Sequence, residues 1–177
     1  LELSFESHQV IKSYCQDQGI LFLSSPFDED SADLLSKLDV AAFKIPSGEI
    51  TNVFLLAHIA RKGKPMIVST GMCNLGEVDA AVRVLLDAGN KNFVLLHCVS
   101  NYPTNPDDVN LRAMLTMREA FNAPVGFSDH TLGIEIPIAA VALGACVIEK
   151  HLTLDKTMDG PDHRASLEPD EFLAMVS

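Results

Sequence analysis

The chain has 177 residues, 47% of them hydrophobic, and a net charge of −11. That is enough apolar material for one domain with a sizeable core, and the acidic balance argues against nucleic acid or an anionic membrane as a bulk partner. No run approaches the ~20 apolar residues of a membrane span and no signal-peptide pattern is visible, while a small anionic substrate stays open because a local site can be positive on an acidic protein.

In chain order, residues 4–17 read as a helix, with Ser4 as N-cap, Val10, Ile11 and Tyr14 as the apolar stripe and Gly19 as the stop. Residues 20–25 read as a buried strand ended by Pro26, and 30–38 as a short helix. A strand over 41–45 is interrupted by Lys44, and a helix follows over 52–61. Residues 66–70 are a strand, and 75–88 a helix with Asn74 as cap and Gly89 past its end. Then come strand 93–99, helix 110–121, strand 125–128, apolar helix 134–144, strand 146–152 and a helix from 168.

The order is a helix followed by strand–helix units, six strands in all. The strands are continuously apolar rather than alternating, as parallel strands buried on both faces are. Strict βα alternation leaves a closed barrel or an open doubly wound sheet. The barrel is favoured, because all six expected strands end in polar residues and barrel active sites are built from all the strand C-termini. A doubly wound sheet concentrates function at one switch point with a Gly-rich first turn, and no GxGxxG is present. The expectation is an α/β fold, a TIM (β/α)8 barrel represented over 1–177 by about six of its eight βα units. The sequence opens on Leu1 rather than Met and closes inside an expected helix, so it reads as a piece of something longer. The first two units then come from a longer chain, or a second copy fills the gap.

The central motif is Gly126-Phe127-Ser128-Asp129-His130-Thr131-Leu132-Gly133 together with Val147-Ile148-Glu149-Lys150-His151. In a strand–helix–strand unit this spacing puts His130 and His151 at the same end of neighbouring parallel strands, where both can hold one divalent metal. Asp129 and Glu149 flank them as further ligands or supports. Two histidines with open positions suit Mn²⁺, Fe²⁺ or Zn²⁺ as a Lewis acid rather than a closed structural site. A structural hydrogen-bonding role for both is the alternative. Lys44, inside an apolar run, is either paired with Glu49 or an anion ligand in the barrel mouth. Ser47, Ser69, Ser100 and Ser128 sit on strand ends around it and together resemble a hydroxyl-and-lysine cradle for phosphate or carboxylate. Gly48 and Gly71 place backbone N–H groups where an anion can come close.

His97 reads as a core residue, and His8 and His58 as surface residues on helices. Asp162, in the loop Gly160-Pro161-Asp162-His163, is placed to hydrogen-bond sugar hydroxyls or simply to form a turn. Cys15, Cys73, Cys98 and Cys146 show no paired spacing, and Cys98 and Cys146 fall in apolar strand runs. They read as reduced thiols of a cytoplasmic protein, with no motif that would stabilise a catalytic thiolate. From the residues alone the reading is a barrel enzyme with a divalent metal and an anionic small substrate.

Six stretches, in order, resemble the sialic acid synthases and their legionaminic acid and spore-coat relatives. They are Lys44-Ile45-Pro46-Ser47-Gly48-Glu49-Ile50-Thr51-Asn52, Ser69-Thr70-Gly71-Met72, Leu96-His97-Cys98 with Tyr102-Pro103, residues 126–133, Glu149-Lys150-His151, and residues 160–163. The resemblance implies a transferase that condenses phosphoenolpyruvate with N-acetylmannosamine or a related N-acyl hexosamine, giving a nonulosonic acid and phosphate. It implies that His130 and His151 hold Mn²⁺ or a similar ion (Mg²⁺, Fe²⁺ or Zn²⁺), and that Lys44, Glu49 and both histidines are catalytic. Ser25, Lys44, Ser47, Ser69, Ser100 and Ser128 match positions that hold phosphoenolpyruvate; Glu49, Tyr102 and Asp162 match positions near the sugar. Ser100 stands where some members have Asn, and Ser25 where many have Thr. The family's first two strands, with a catalytic glutamate and a second phosphate-binding lysine, have no counterpart here, nor does its C-terminal antifreeze-like domain. A homodimer, and little or no activity for the 177-residue chain alone, are therefore expected. Competing readings are another phosphoenolpyruvate-dependent keto-acid synthase, a metal-dependent aldolase on the same barrel, a non-catalytic anion- or sugar-binding remnant, and a structural module that binds nothing.

Overall fold

The computed structural model describes residues 3–177. Helix α1 (Phe5–Asp17) begins where the Ser4 hydroxyl accepts from the Ser7 amide. Helix α2 (Glu29–Lys37) is capped by Asp28 in the same way. Five strand–helix repeats follow: β1 (Phe43–Ile45) with α3 (Val53–Ala60), β2 (Met66–Ser69) with α4 (Leu75–Asp87), β3 (Phe93–Cys98) with α5 (Arg112–Phe121), β4 (Val125–Asp129) with α6 (Glu135–Ala142), and β5 (Ile148–Lys150) with α7 (Pro169–Val176). Helix α4 shows why sequence and structure agree well here. Asn74 and Glu77 form a reciprocal capping box at its start, and Gly89 takes the left-handed conformation just past its end.

The strands form one parallel sheet in the order β1-β2-β3-β4-β5. Each new strand adds beside the last and the order never reverses. A doubly wound sheet must reverse at its switch point, so this is the winding of a (β/α)8 barrel, open along one side. Side chains alternate in direction along each strand. Phe43, Ile45, Leu95 and Phe127 point outward into a core completed by α3, α4 and α5. Lys44, Ser69, Cys98, Ser128 and Glu149 take the opposite face and line the concave side.

Among the described residues the sheet has five strands rather than six. Residues 20–25 pass beside 39–41, lining a common hollow, but make no ladder with them. Ile20 and Leu21 are 59% and 76% exposed. A short apolar run becomes a buried strand only where neighbours supply hydrogen bonds and a cover; this run forms no ladder, and Phe22 is its one apolar side chain packed against the core. The apolar stripe of α1 is likewise uncovered, with Val10 and Tyr14 exposed. Beyond β4, Ile138, Val141 and Val176 are exposed around a largely apolar groove between α6 and α7. Both lateral ends of the sheet thus present apolar surface.

The four cysteines are free. Cys98 is buried in β3 as its run predicts, but Cys146 precedes β5 and is exposed. His58 is half-buried rather than at the surface, bonded to Asp33 at 2.7 Å. His8 is also half-buried, edge-on to Phe22. No helix among the described residues is long and apolar enough to cross a membrane.

Candidate active site

The concave face holds a cavity of about 500 Å³. Eleven of the residues singled out from sequence line it: Ser25, Lys44, Ser47, Gly48, Ser69, Ser100, Tyr102, Ser128, His130, Glu149 and His151. They come from all five strands and the loops beyond them, with Ser25 from the segment before α2, which is why their sequence positions are so scattered.

Lys44 sits on β1 with its side chain 13% exposed. Its ammonium donates to Ser69 Oγ at 2.9 Å and to the Ile45 carbonyl at 3.1 Å. Its carboxylate partner is Glu149, at 3.5 Å, and not Glu49. Glu49 is held on a short turn (Ser47–Glu49), accepts from the Asn52 side chain at 2.9 Å, and does not line the cavity. Burial pushes the Lys44 pKa below the ordinary lysine range, and the Glu149 charge opposes that shift. Glu149 also accepts from Ser128 Oγ at 2.7 Å, so one carboxylate ties β5 to both β4 and β1. Ser47 Oγ accepts from the Gly71 amide at 3.0 Å and lies 3.7 Å from Cys98 Sγ. A Cβ on Gly71 would sit 2.6 Å from Ser100 Oγ and 2.8 Å from Ser47 Oγ. Glycine is what lets this backbone approach the hydroxyls.

The ladder pairs Asp129 with Lys150, so the next residues, His130 and His151, emerge side by side. Their ring centroids are 5.3 Å apart. Tyr102 lies against both, 4.0 Å from the His130 ring and 5.6 Å, edge-on, from that of His151. His130 Nδ1–H donates to the Val99 carbonyl at 2.7 Å, so Nε2 is the ring nitrogen left for a ligand. Burial, then the neighbouring His130 ring, lower the His151 pKa, with Asp162 opposing, so this imidazole is neutral at pH 7. Burial raises the Tyr102 pKa, with smaller contributions from Cys98 and Asp162, which keeps it a phenol. Two imidazoles side by side fit a divalent ion that draws its other ligands from water or substrate. No group of three His, Cys, Asp or Glu among the described residues converges to hold an ion unaided.

Two expected neighbours differ. Asp129 flanks the pair in sequence but, by strand alternation, points away from the cavity into a fully buried pair with Lys150. Asp162 stands outside the lining, half-exposed, with Oδ2 3.9 Å from His151 Nδ1. Cys98 and Met72, not expected in the site, do line it. Cys98 was legible in principle, since it lies two residues before Ser100 and shares its face. His97, one residue earlier, faces the helices and is bonded to the Val109 carbonyl at 2.6 Å, as a core histidine should be.

The NeuB family model matches residues 1–177. The chain belongs to the NeuB family. It is 55% identical over 174 residues to an N,N'-diacetyllegionaminic acid synthase of Campylobacter jejuni, covering 97% of this chain and 52% of that protein. It superposes with a TM-score of 0.95 and 40% identity on an N-acetylneuraminic acid (sialic acid) synthetase of Leptospira borgpetersenii crystallised with citrate, covering 99% of this chain and 61% of that one. A DAHP synthase of Thermotoga maritima shares the fold alone, at TM-score 0.85 and 17% identity, covering 97% of this chain and 53% of that one. This NeuB chain thus spans about half the length of the curated relatives it matches.

Proposed function

We propose that this chain supplies most of the catalytic barrel of a nonulosonic acid synthase. The reaction joins phosphoenolpyruvate to N-acetylmannosamine or a related N-acyl hexosamine. Carbon 3 of the enol forms a bond to the aldehyde carbon, water adds at carbon 2, and the C–O bond to phosphate breaks. The products are a nine-carbon keto acid and inorganic phosphate. The observation that carries this reading is the meeting of one buried lysine, a ring of hydroxyls and two imidazoles in a single cavity.

In this reading Lys44 and the hydroxyls of Ser25, Ser47, Ser69, Ser100 and Ser128 bind the carboxylate and phosphate oxygens of phosphoenolpyruvate. Charge-assisted hydrogen bonds of this kind are about twice as strong as neutral ones. The Gly71 amide, donating to Ser47 Oγ, orients that hydroxyl so that its hydrogen is left for the ligand. Tyr102 gives the sugar a face to lie against and a phenolic donor, and Asp162 accepts from a sugar hydroxyl beside His151. His130 and His151 would hold the metal, with Mn²⁺ first and Mg²⁺, Fe²⁺ or Zn²⁺ as alternatives. When bound, the ion supplies Lewis acidity to the aldehyde oxygen and orients water. Glu49 stays in reserve on its turn: a catalytic role for it requires the turn to move toward the substrate.

The proposal extends to the rest of the barrel. Further βα units close the open side of the sheet, a homodimer completes the site, and the protein works in the cytoplasm. The chain alone is then inactive in turnover. Calorimetry with Mn²⁺ on the chain and its His130→Ala and His151→Ala variants tests the core of this reading. Micromolar-range binding lost in both variants is the expected result. Binding that survives in both would remove the imidazole pair from the proposal.

A further inference from the structure

Directly behind the two imidazoles, on the side of the sheet turned away from the cavity, lies an ion pair that the proposed chemistry does not use. Lys150 Nζ meets Asp129 Oδ2 at 2.5 Å, and neither side chain has any exposed surface. The same ammonium donates to the Thr131 carbonyl. Asp129 Oδ1 accepts from the Thr131 amide at 2.9 Å and from the Thr131 hydroxyl at 2.8 Å. No buried side-chain nitrogen or oxygen among the described residues lacks a partner.

Stability alone is a poor reason for such a pair. Taking two charges out of water costs several kcal/mol per ion, and well-packed apolar residues of the same volume often do as well or better. The location points elsewhere. Asp129 and Lys150 face each other on the last rung of the β4–β5 ladder, and that ladder has three rungs. Strand β5 is three residues long and lies at the sheet edge, so its register leans on side-chain contacts: those of Glu149 with Ser128 and Lys44 on the cavity face, and the Asp129–Lys150 pair on the other. A slip of one residue would turn every β5 side chain to the opposite face, putting Lys150 in the cavity and His151 against the helices.

The pair also brackets both histidines. The Asp129–Thr131 turn holds the backbone on either side of His130. The His130 ring has the Val99 carbonyl as a second anchor. Among the described residues the His151 ring makes no hydrogen bond, and Asp162 Oδ2 lies 3.9 Å from its Nδ1. Its place opposite His130 depends on where β5 is fixed.

We propose that Asp129 and Lys150 are positioning residues whose buried pair locks the β4–β5 register, so that the His130 and His151 imidazoles meet in the cavity. The use made of the lock rests on the metal reading above; the lock itself does not.

The test separates the two. In the 177-residue chain with isotope-labelled histidine, the nuclear Overhauser effect between the His130 and His151 rings reports their proximity without any metal. Mn²⁺ affinity, read by electron paramagnetic resonance, reports the consequence. The variants are Asp129→Asn with Lys150→Met, which removes both charges together, and Lys150→Arg, which keeps a cation. The double variant should melt close to wild type, lose the ring-to-ring effect, and bind Mn²⁺ at least tenfold more weakly. Lys150→Arg should retain both signals. Should the double variant unfold, Lys150→Gln, which keeps an N–H donor without charge, takes its place with the same readouts. A folded neutral variant that keeps the ring-to-ring effect at wild-type strength overturns the lock. If the effect is present in wild type and lost in the variant while Mn²⁺ binds neither, the lock stands and the metal reading fails.

Discussion

Lys44 Nζ lies 3.5 Å from Glu149 Oε2, so the one lysine of the cavity is already partnered across the barrel. An incoming anion must share or displace that carboxylate. Glu149→Gln therefore tightens phosphoenolpyruvate binding by about 1 kcal/mol, roughly fivefold, allowing for the partial exposure of Glu149. Lys44→Met acts in the opposite sense and weakens binding by about 10- to 100-fold, as loss of a charged hydrogen bond does. Calorimetric titration of the three proteins with phosphoenolpyruvate reads both effects. Weaker binding by Glu149→Gln would show that the carboxylate helps to hold the ligand.

Gly71 provides a site-directed test that spares the core. An alanine methyl there falls 2.6 Å from Ser100 Oγ and 2.8 Å from Ser47 Oγ. Both are side-chain atoms at the cavity surface and can rotate aside, but they then leave the cradle. The expected result is at least a tenfold loss of phosphoenolpyruvate affinity with the melting temperature within a few degrees of wild type. Unchanged affinity would exclude the Ser47–Gly71–Ser100 corner from the anion site.

The chain should lose stability on mild acidification, with His97 as one source. Its pKa lies below the ordinary histidine value because burial disfavours the imidazolium, with the Val109 carbonyl opposing. In the window between that lowered value and the unfolded value of about 6.5, the unfolded chain binds the proton and the folded chain does not. Stability therefore falls as the pH drops through this window and is fully present above it. His151, shifted in the same direction, adds to the effect. Urea midpoints should decline from pH 7 to pH 5, and His97→Gln should flatten part of the decline. A variant that follows the wild-type curve at every pH would clear His97 of that role.

Gly126 permits a close approach between β4 and the chain entering β5. A Cβ there would lie 2.4 Å from the Val147 carbonyl oxygen and 2.6 Å from a Leu96 methyl. The first is backbone and has nowhere to go. Gly126→Ala should cost about 1–3 kcal/mol and loosen the β4–β5 ladder, so amide exchange at Phe127 and Ser128 speeds up selectively. Uniform acceleration over all strands would instead mean global destabilisation.

Much of this arrangement was readable from the chain, for identifiable reasons. The equal spacing from His130 to His151 and from Asp129 to Lys150 is one βα repeat, so the register follows once the strands are parallel. Lys44 announced itself as a charge in an apolar run. Choices made across the barrel were not readable. Lys44 pairs with Glu149 rather than the sequence-near Glu49 because strand closure, not chain proximity, brings carboxylates within reach. Asp129 faces outward because of strand alternation, which its neighbour His130 obscures when the motif is read as a block. Residues 20–25 have the composition of a strand but not the neighbours, and pairing is a property of neighbours.

A cavity with a single lysine, half-neutralised by Glu149, on a chain of net charge −11 has a consequence for kinetics. A doubly or triply charged anion approaching from solution meets repulsion first and attraction only at contact. Added salt screens the long-range part over about 8–10 Å and leaves the buried contacts largely untouched. The association rate for such a ligand should rise with ionic strength, opposite to the behaviour of a protein that steers anions in with an exposed basic funnel. Under the proposed function, recognition is a matter of arrival followed by capture, with the selectivity vested in hydroxyl geometry rather than in the field outside.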